Sequence, residues 1–168
     1  EQDFDKHAKD IISEKEVKVM KRINCRGATM EACATRSGTL VGPLLTEVVG
    51  RPELTPYKGG WCGNEVFPGS FTEEVRAKAR DMAYRFGNQL MKEGYRGYFD
   101  LDFLVDQDNG EVYLGELNPR ICGASPMTNH AAFAYADAPL FAFHLLEFSG
   151  LDFDLKVEKL NARWADPD

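Results

Sequence analysis

Residues 97–125, GYFDLDFLVDQDNGEVYLGELNPRICGAS, carry the most informative pattern in the chain. Two stretches that alternate apolar and polar residues, as β-strands do, flank the turn sequence QDNG. The second stretch ends with Glu116 and Asn118, which are two residues apart and therefore share one face of a strand. Polar side chains at the end of an apolar strand are unfavourable without partners. We therefore expect something to bind at this end of the hairpin.

The pairing of the two strands predicts what binds. A loop centred on Asn109 places Asp102 opposite Glu116, Leu104 opposite Leu114 and Asp106 opposite Val112. Two carboxylates that face each other repel, and a cation between them removes the repulsion. Carboxylate and amide oxygens suit magnesium, which usually shares its ligand shell with phosphates. The neighbouring leucine pair would give the base of a nucleotide an apolar surface.

Three alternatives remain open for this hairpin. A two-residue turn at Asn109 and Gly110 would shift the pairing by one position. A solvated acidic edge would leave the carboxylates without a ligand. A calcium loop is disfavoured because, counted from Asp106, the glycine of DQDNGE falls at the fifth position and the twelfth residue is Leu117, whereas the EF-hand needs glycine sixth and glutamate twelfth.

Composition excludes several classes of protein. The chain has 168 residues and a net charge of −7, with no stripe of lysine or arginine, which disfavours nucleic acid as a partner. No apolar run approaches the ~20 residues of a membrane helix, and the polar start of the sequence does not resemble a signal peptide. Four scattered cysteines without metal-ligand spacing indicate reduced thiols in a cytoplasmic protein and do not predict a zinc site.

The rest of the chain predicts strands and helices in an order typical of an α+β fold with a mainly antiparallel sheet packed against helices. A loop follows Arg120, and an apolar helix capped by Asp137 comes after it. The other predicted elements are strands over residues 16–23, 28–36 and 39–49 and a helix over 71–92 with a capping box formed by Ser70 and Glu73.

The hairpin resembles the final metal-binding hairpin of ATP-grasp ligases, the superfamily of biotin carboxylase, carbamoyl-phosphate synthetase and many carboxylate–amine ligases. The resemblance implies that Asp102, Glu116 and Asn118 hold Mg²⁺, or Mn²⁺, that bridges the phosphates of ATP. It implies that Arg120 reaches the substrate or the transferred phosphoryl group. It also implies that Leu104 lies against the adenine.

The segment EVKVMKRI, residues 16–23, resembles the strand and hinge that grip the adenine edge in these ligases. By this resemblance, Lys21 and Ile23 offer main-chain groups to the base. Met20 stands where the family often has a glutamate, which leaves open what contacts the ribose. The likeness covers most of residues 12–130.

The resemblance implies that residues 1–168 are the C-terminal portion, or lobe, of an ATP-grasp domain, a fragment whose N-terminal lobe with its glycine-rich loop is absent. The activity implied is an ATP-dependent ligase that activates a carboxylate as an acylphosphate for attack by an amine or similar nucleophile. Its partners would be those small molecules and the remainder of the protein, and oligomerisation stays open. The isolated fragment is expected to be inactive. A non-catalytic nucleotide-binding or regulatory domain and a plain interaction domain are the alternatives.

The segment YKGGWCGNE, residues 57–65, is the candidate for substrate selection. Glycines let the backbone approach a ligand closely. Trp61 offers an apolar wall, and Lys58, Asn64 and Glu65 offer polar anchors. The alternative is an ordinary surface loop with one buried tryptophan.

Overall fold

A computed structural model describes residues 11–134 and 137–165, together with residues 5 and 8. Five strands form one antiparallel sheet in the order β3-β2-β1-β4-β5, which confirms the predicted α+β class. The strands are β1 Cys25–Thr35, β2 Gly38–Val49, β3 Trp61–Glu65, β4 Gly97–Asp106 and β5 Val112–Asn118. The helices are α1 Glu73–Lys92, α2 Ser125–Ala134, α3 Leu140–Phe148 and α4 Val157–Ala165. Within the described residues, no helix has the length and apolarity needed to cross a membrane.

Helix α1 covers one face of the sheet. Alternate residues of the central strands point to this face because successive side chains of a strand lie on opposite sides. They pack against the small residues of one α1 stripe, so the helix approaches the sheet closely. The buried residues of this core include Ala28, Met30, Ala32, Phe99, Leu101, Phe103, Val75, Ala79 and Ala83.

The start of α1 differs from the prediction in its capping residue. The hydroxyl of Thr72 accepts a hydrogen bond from the Val75 amide at 3.3 Å, so Thr72 is the N-cap. Ser70 instead ends a short 3-10 turn and donates its hydroxyl to Glu65 at 3.4 Å. The helix ends at Lys92, as predicted, and Gly94 follows with a φ of +90°, which favours glycine.

The opposite face of the sheet is only partly covered. Helices α3 and α4 bury Cys33, Leu40 and Tyr98 at one end of the central strands, in a second core that contains Leu140, Phe143 and Val157. The other end of the same face lies outside this second core and carries the polar side chains of Thr29, Glu47 and Asp102. This open half of the sheet is where the candidate site lies.

Two predicted segments have a different structure. Residues 16–23 form no strand, and Val19 is 90% exposed, because no neighbouring strand supplies backbone partners; β1 begins at Cys25. The loop predicted after Arg120 contains α2, which begins at Ser125. Asp137 does not cap α3: the N-cap is Pro139, and Asp137 accepts a hydrogen bond from the Ala138 amide.

Gly87 allows α1 to approach the sheet, and this gives a test of the packing. A Cβ at this position would lie 2.4 Å from Cγ2 and 2.5 Å from Oγ1 of Thr39. We expect Gly87→Ala to lower the free energy of unfolding by about 1–2 kcal/mol through overpacking, although alanine is the better helix former by about 1 kcal/mol. Denaturant titration measures the change. In a Thr39→Ala background the same substitution should be less destabilising, and a stabilising effect in the parent chain would contradict the packing described here.

His144 gives a second test, through pH. Its Nδ1 accepts a hydrogen bond from the Tyr98 amide at 3.1 Å, and burial lowers the pKa of the ring. The unfolded chain therefore binds more protons than the folded chain below the ordinary histidine pKa of about 6.5, so stability should fall as the pH drops through that value. Urea unfolding at several pH values should show a flatter profile for His144→Gln than for the parent chain. His130→Gln, at an exposed position, should leave the profile unchanged.

Candidate functional site

The register of the hairpin brings two of the predicted ligands together. Asp102 lies directly opposite Glu116, which confirms the predicted pairing. A bulge at Gly115 then shifts the register, so that Phe103 pairs with Leu114. The loop is not centred on Asn109, so the residues next to it pair one position away from the prediction. The extra residue in β5 restores the predicted pairing at Asp102 and Glu116.

The two other predicted pairs of the hairpin are wrong, for the same reason. Leu104 lies opposite Tyr113 and not Leu114, and Val112 lies opposite Val105 and not Asp106. The apolar surface beside the acidic pair therefore consists of half-buried Leu104 and the exposed ring of Tyr113. The ring of Tyr113 makes this surface larger than a leucine side chain would. An apolar area therefore lies next to the carboxylates, as the sequence predicted.

Asp102 and Asn118 are joined by a hydrogen bond. The amide nitrogen of Asn118 donates to Asp102 at 3.1 Å and to Asp100 at 3.3 Å. The other oxygen of Asp102 accepts from the hydroxyl of Thr29 at 2.7 Å. The amide oxygen of Asn118 accepts from the Arg120 guanidinium at 3.2 Å. Asn118 thus links the carboxylates to the arginine.

Glu47 is a further acidic residue of this face that the sequence analysis missed. Burial, followed by the charge of Asp102 and then by that of Glu116, raises its pKa, while the hydroxyl of Thr29 opposes the shift. Glu47 also fills the space over Gly27, where a Cβ would lie 2.3 Å from its Oε2. A charged residue within the apolar run PLLTEVV is the signal that could have identified it.

Asp100 adds another carboxylate from the same strand as Asp102. Burial, and then the charges of Asp102 and Glu31, raise the pKa of Asp100 to about 7. This half of the sheet therefore concentrates negative charge, with Glu31, Glu47, Asp100, Asp102 and Glu116 on one face. Like charges at this density favour a bound cation.

The donor set of the predicted metal site fits Mg²⁺ or Mn²⁺. Asp102 and Glu116 offer carboxylate oxygens from paired strands, and Asn118 offers an amide within hydrogen-bond distance of Asp102. All three can supply the oxygen ligands that these ions prefer. The amide of Asn118 presently directs its nitrogen to the carboxylates, and a half turn would exchange that nitrogen for its oxygen.

The hinge residues lie outside the sheet. Lys21 is exposed and Ile23 is half-buried, in a segment without regular structure that leads into β1. Their assignment as adenine contacts, together with that of Leu104, stays a prediction.

The substrate segment at residues 57–65 contains a strand. Its residues from Trp61 onward form β3, which pairs with β2 and places Asn64 opposite Glu47. Both polar atoms of the Asn64 amide are buried and lack a hydrogen-bond partner within the part of the chain that the structure describes. Trp61, 51% exposed, lies over Gly123, where a Cβ would be 2.6 Å from its ring. Lys58 is exposed, and Glu65 accepts a hydrogen bond from the hydroxyl of Ser70. Neither side chain is therefore directed toward the acidic residues of the candidate site.

Arg26, which is basic, and Cys122, which is a potential nucleophile, have contacts that indicate structural roles. Arg26 donates to the carbonyl of Ser70 at 2.7 Å and lies over Phe71, on the α1 side of the sheet. Burial raises the pKa of the Cys122 thiol to about 12. The thiol is therefore protonated at neutral pH and is a poor nucleophile.

Comparison with known proteins gives relatives at the level of structure. No protein-family model and no curated protein matches the sequence. Similar solved structures include N5-carboxyaminoimidazole synthetase from Staphylococcus aureus with ADP, at 17% identity and a TM-score of 0.59, over 91% of this chain and 37% of that chain. They also include a biotin carboxylase–βγ-ATP complex from Campylobacter jejuni, at 15% identity and a TM-score of 0.61, over 83% of this chain and 28% of that chain.

A third similar structure is a variant of pyruvate carboxylase from Rhizobium etli with acetyl coenzyme A, at 16% identity and a TM-score of 0.62, over 96% of this chain and 13% of that chain. The chain thus spans well under half the length of each of these three proteins. At such identities the similarity concerns the fold. This chain has the α+β fold of the C-terminal part of the ATP-grasp domain, as the hairpin predicted.

Proposed function

We propose that the chain forms the C-terminal lobe of an ATP- and Mg²⁺-dependent ligase that activates a carboxylate as an acylphosphate for attack by an amine or a similar nucleophile. The observation that carries this proposal is the pairing of Asp102 with Glu116, with the Asn118 amide beside them and Arg120 bonded to that amide. The fold shared with proteins crystallised with ATP or ADP supports it.

Asp102, Glu116 and Asn118 would hold the cation. Bound there, Mg²⁺ or Mn²⁺ would neutralise charge on the phosphates of ATP. The residues of this chain concentrate negative charge before the ion arrives, because Asp102 lies directly opposite Glu116 and Thr29 links Asp102 to Glu47. Catalysis of phosphoryl transfer depends mainly on such positioning and charge neutralisation and needs no protein nucleophile.

Arg120 would act on the anionic side of the reaction. Its guanidinium is exposed and anchored through Asn118, so that its remaining N–H groups can reach a carboxylate or a phosphoryl group. A planar guanidinium binds either group through two parallel hydrogen bonds. In this proposal Arg120 orients the substrate carboxylate and stabilises charge on the acylphosphate.

The nucleotide base and the acid would lie on opposite sides of the cation. Leu104 and Tyr113 provide the apolar surface for adenine, and the backbone of Lys21 and Ile23 would bind its edge. Trp61 and the unpaired amide of Asn64 lie toward the other edge of the sheet, where they would contact the acid or the nucleophile. A buried amide without partners indicates a polar group that a ligand could satisfy.

The remaining contacts to ATP would come from the rest of the protein. The chain spans 37% or less of the three proteins compared above, so the glycine-rich loop and its lysine-bearing strand are expected from that remainder. The isolated chain should therefore bind ATP poorly and show no turnover. The four cysteines, which form no disulfide, are consistent with a cytoplasmic location.

Replacement of Glu116 tests the metal role. In the full-length protein we expect Glu116→Gln to weaken Mn²⁺ binding in the presence of a non-hydrolysable ATP analogue by about tenfold or more, because a metal-bound carboxylate becomes a neutral amide. Isothermal titration or Mn²⁺ electron paramagnetic resonance measures this, and the melting temperature of the metal-free protein should not fall, because Glu116 is exposed and its replacement removes repulsion.

Glu111→Gln is the matched control for this experiment. Glu111 precedes the same strand, and its side chain forms an ion pair with half-buried Lys78 at 3.2 Å. An ion pair of this kind contributes little to stability. If the Glu116→Gln variant and the parent protein bind Mn²⁺ with equal affinity, the assignment of Glu116 as a metal ligand is contradicted.

Replacement of Arg120 tests the anion role separately. Once a panel of carboxylic acids has identified one that stimulates phosphate release by the full-length protein, Arg120→Lys should lower kcat/KM for that acid by about 10–100-fold. Lysine keeps the charge but loses the paired hydrogen bonds. The affinity for the ATP analogue should change much less. Arg85→Lys, on the exposed side of α1, is the control, and an equal loss in both variants would contradict the role of Arg120.

A further inference from the structure

A second cluster of potential metal ligands lies beside the acidic pair, on the same face of the sheet. It consists of Glu31 on β1, Asp100 on β4 and Cys122 in the segment between β5 and α2. One ligand atom of each residue lies within 4.8 Å of the other two. The register of the sheet places Glu31 directly opposite Asp100, and the Cys122 sulfur lies 3.2 Å from Glu31 Oε1. The three residues are distant in sequence and converge only through the fold.

Both carboxylates of this cluster are buried without a cationic partner. Glu31 is 0% and Asp100 2% exposed, and neither forms an ion pair with any residue that the structure describes. Buried charges are normally paired or bound to a metal ion. Oδ1 of Asp100 is a separate observation: it is buried and accepts no hydrogen bond from the described residues. An oxygen in that state has a free lone pair available to a ligand.

The side chain of Glu31 is held in position by its neighbours. The hydroxyl of Tyr98 donates to Glu31 Oε2 at 2.7 Å, and the hydroxyl of Ser125 donates to Oε1. Asn129 in turn donates to the Tyr98 hydroxyl at 3.3 Å. Outer hydrogen bonds of this kind orient metal ligands and tune their affinity. The cluster is thus a preorganised arrangement of two carboxylates and a thiol.

We propose that Glu31, Asp100 and Cys122 bind a Zn²⁺ ion, at a site distinct from the Mg²⁺ site on Asp102, Glu116 and Asn118. A thiol among the ligands selects zinc over magnesium, which prefers oxygen ligands only. In tetrahedral zinc, Zn–S of about 2.3 Å and Zn–O of about 2.1 Å imply sulfur–oxygen separations of about 3.6 Å. The Cys122 thiol donates a hydrogen bond to Glu31 Oε1 at 3.2 Å, and an increase of about 0.4 Å in that separation would give the spacing that zinc requires.

Zinc binding at this cluster would release one proton and would leave one coordination position for a fourth ligand. Zn²⁺ displaces the proton of the Cys122 thiol, which passes to solvent, and water completes four-coordination. Cys122 is half-buried, while both carboxylates are fully buried, so the ion would enter from the Cys122 side. The site does not depend on ATP or on ligase activity. Its three ligands come from two central strands and from the segment that leads to α2, so a bound ion would fix that segment to the sheet.

Metal titration of the purified chain tests the proposal. After removal of metal with a chelator, ZnCl₂ is titrated in the presence of excess Mg²⁺, and binding is followed by calorimetry. We expect one Zn²⁺ per chain, with an affinity at least tenfold weaker in Cys122→Ala and in Asp100→Asn. Co²⁺ in place of Zn²⁺ should show a thiolate charge-transfer absorption that is absent from Cys122→Ala.

Matched variants separate this site from other sites. Cys25→Ala removes a half-buried thiol outside the cluster and should bind Zn²⁺ as the parent chain does. Glu116→Gln should also leave Zn²⁺ binding unchanged, so failure of the Mg²⁺ assignment is distinguishable from failure of this one. Absence of stoichiometric Zn²⁺ binding, or equal losses in Cys122→Ala and Cys25→Ala, would overturn the proposal.

A measurement on the unaltered chain covers the case in which the variants fail to fold. Zn²⁺ should slow alkylation of Cys122 by iodoacetamide at least tenfold while leaving Cys25 unaffected, as mapped by mass spectrometry. An alkylation rate of Cys122 that is the same with and without Zn²⁺ would also overturn the proposal.

Discussion

Repulsion between carboxylates on one half of one sheet face is the constraint on which the rest of this structure depends. Asp102 and Glu116 face each other across the final hairpin, and burial together with the charges of both raises the pKa of Glu47 on β2. Within the described residues only Arg120, through Asn118, brings a positive charge near this group by a hydrogen bond. Without a cation such an arrangement opposes folding, because like charges in a partly desolvated site interact strongly. Its presence is best explained by a ligand that supplies positive charge.

The layered architecture explains why the charges are concentrated there. Helix α1 packs on one face of the sheet, where the central strands present mainly apolar residues, so the acidic residues lie on the other face. Helices α3 and α4 bury one end of that second face around Tyr98 and Cys33, which leaves the opposite end for Asp102, Leu104 and Glu47. On this face, strand β4 therefore contributes residues to the second core at one end and to the candidate site at the other end. Rigid central strands hold side chains more precisely than loops do.

Sequence reasoning recovered what is local in the chain. The alternation in β4 and β5 and the turn between them were enough to pair Asp102 with Glu116, because both depend on residues close in sequence. The bulge at Gly115 was not predictable from alternation, since one extra residue changes the pairing beyond it; Leu104 was therefore matched with Leu114 where the structure has Tyr113.

Two of the errors elsewhere have one cause: the structure there depends on residues that are distant in the sequence. The alternation in residues 16–23 predicted a strand, but a strand needs a neighbour, and none pairs there. Glu47 could not be assigned to the site because its position depends on the pairing of β2 with β1, which contains its own irregularity between Met30 and Ala32. Helix α2 was mistaken for a loop because its first residues are small and polar and its apolar periodicity is weak.

Asp100 and Asp102 show how one strand can serve two kinds of chemistry. Both point to the same face, two residues apart, and the Asn118 amide donates to each. Their surroundings differ: Asp102 lies beside exposed Glu116 and Arg120, whereas Asp100 is buried next to Glu31 and Cys122. Oxygen ligands at a wet surface suit a weakly held ion that arrives with phosphates, whereas a thiol and two dry carboxylates suit a tightly held one. Because Asn118 donates to both aspartates, a replacement of Asn118 itself would alter the hydrogen bonds of both sites. The hairpin and the segment after Arg120 thus form one electrostatic unit, whose two halves differ mainly in their access to water.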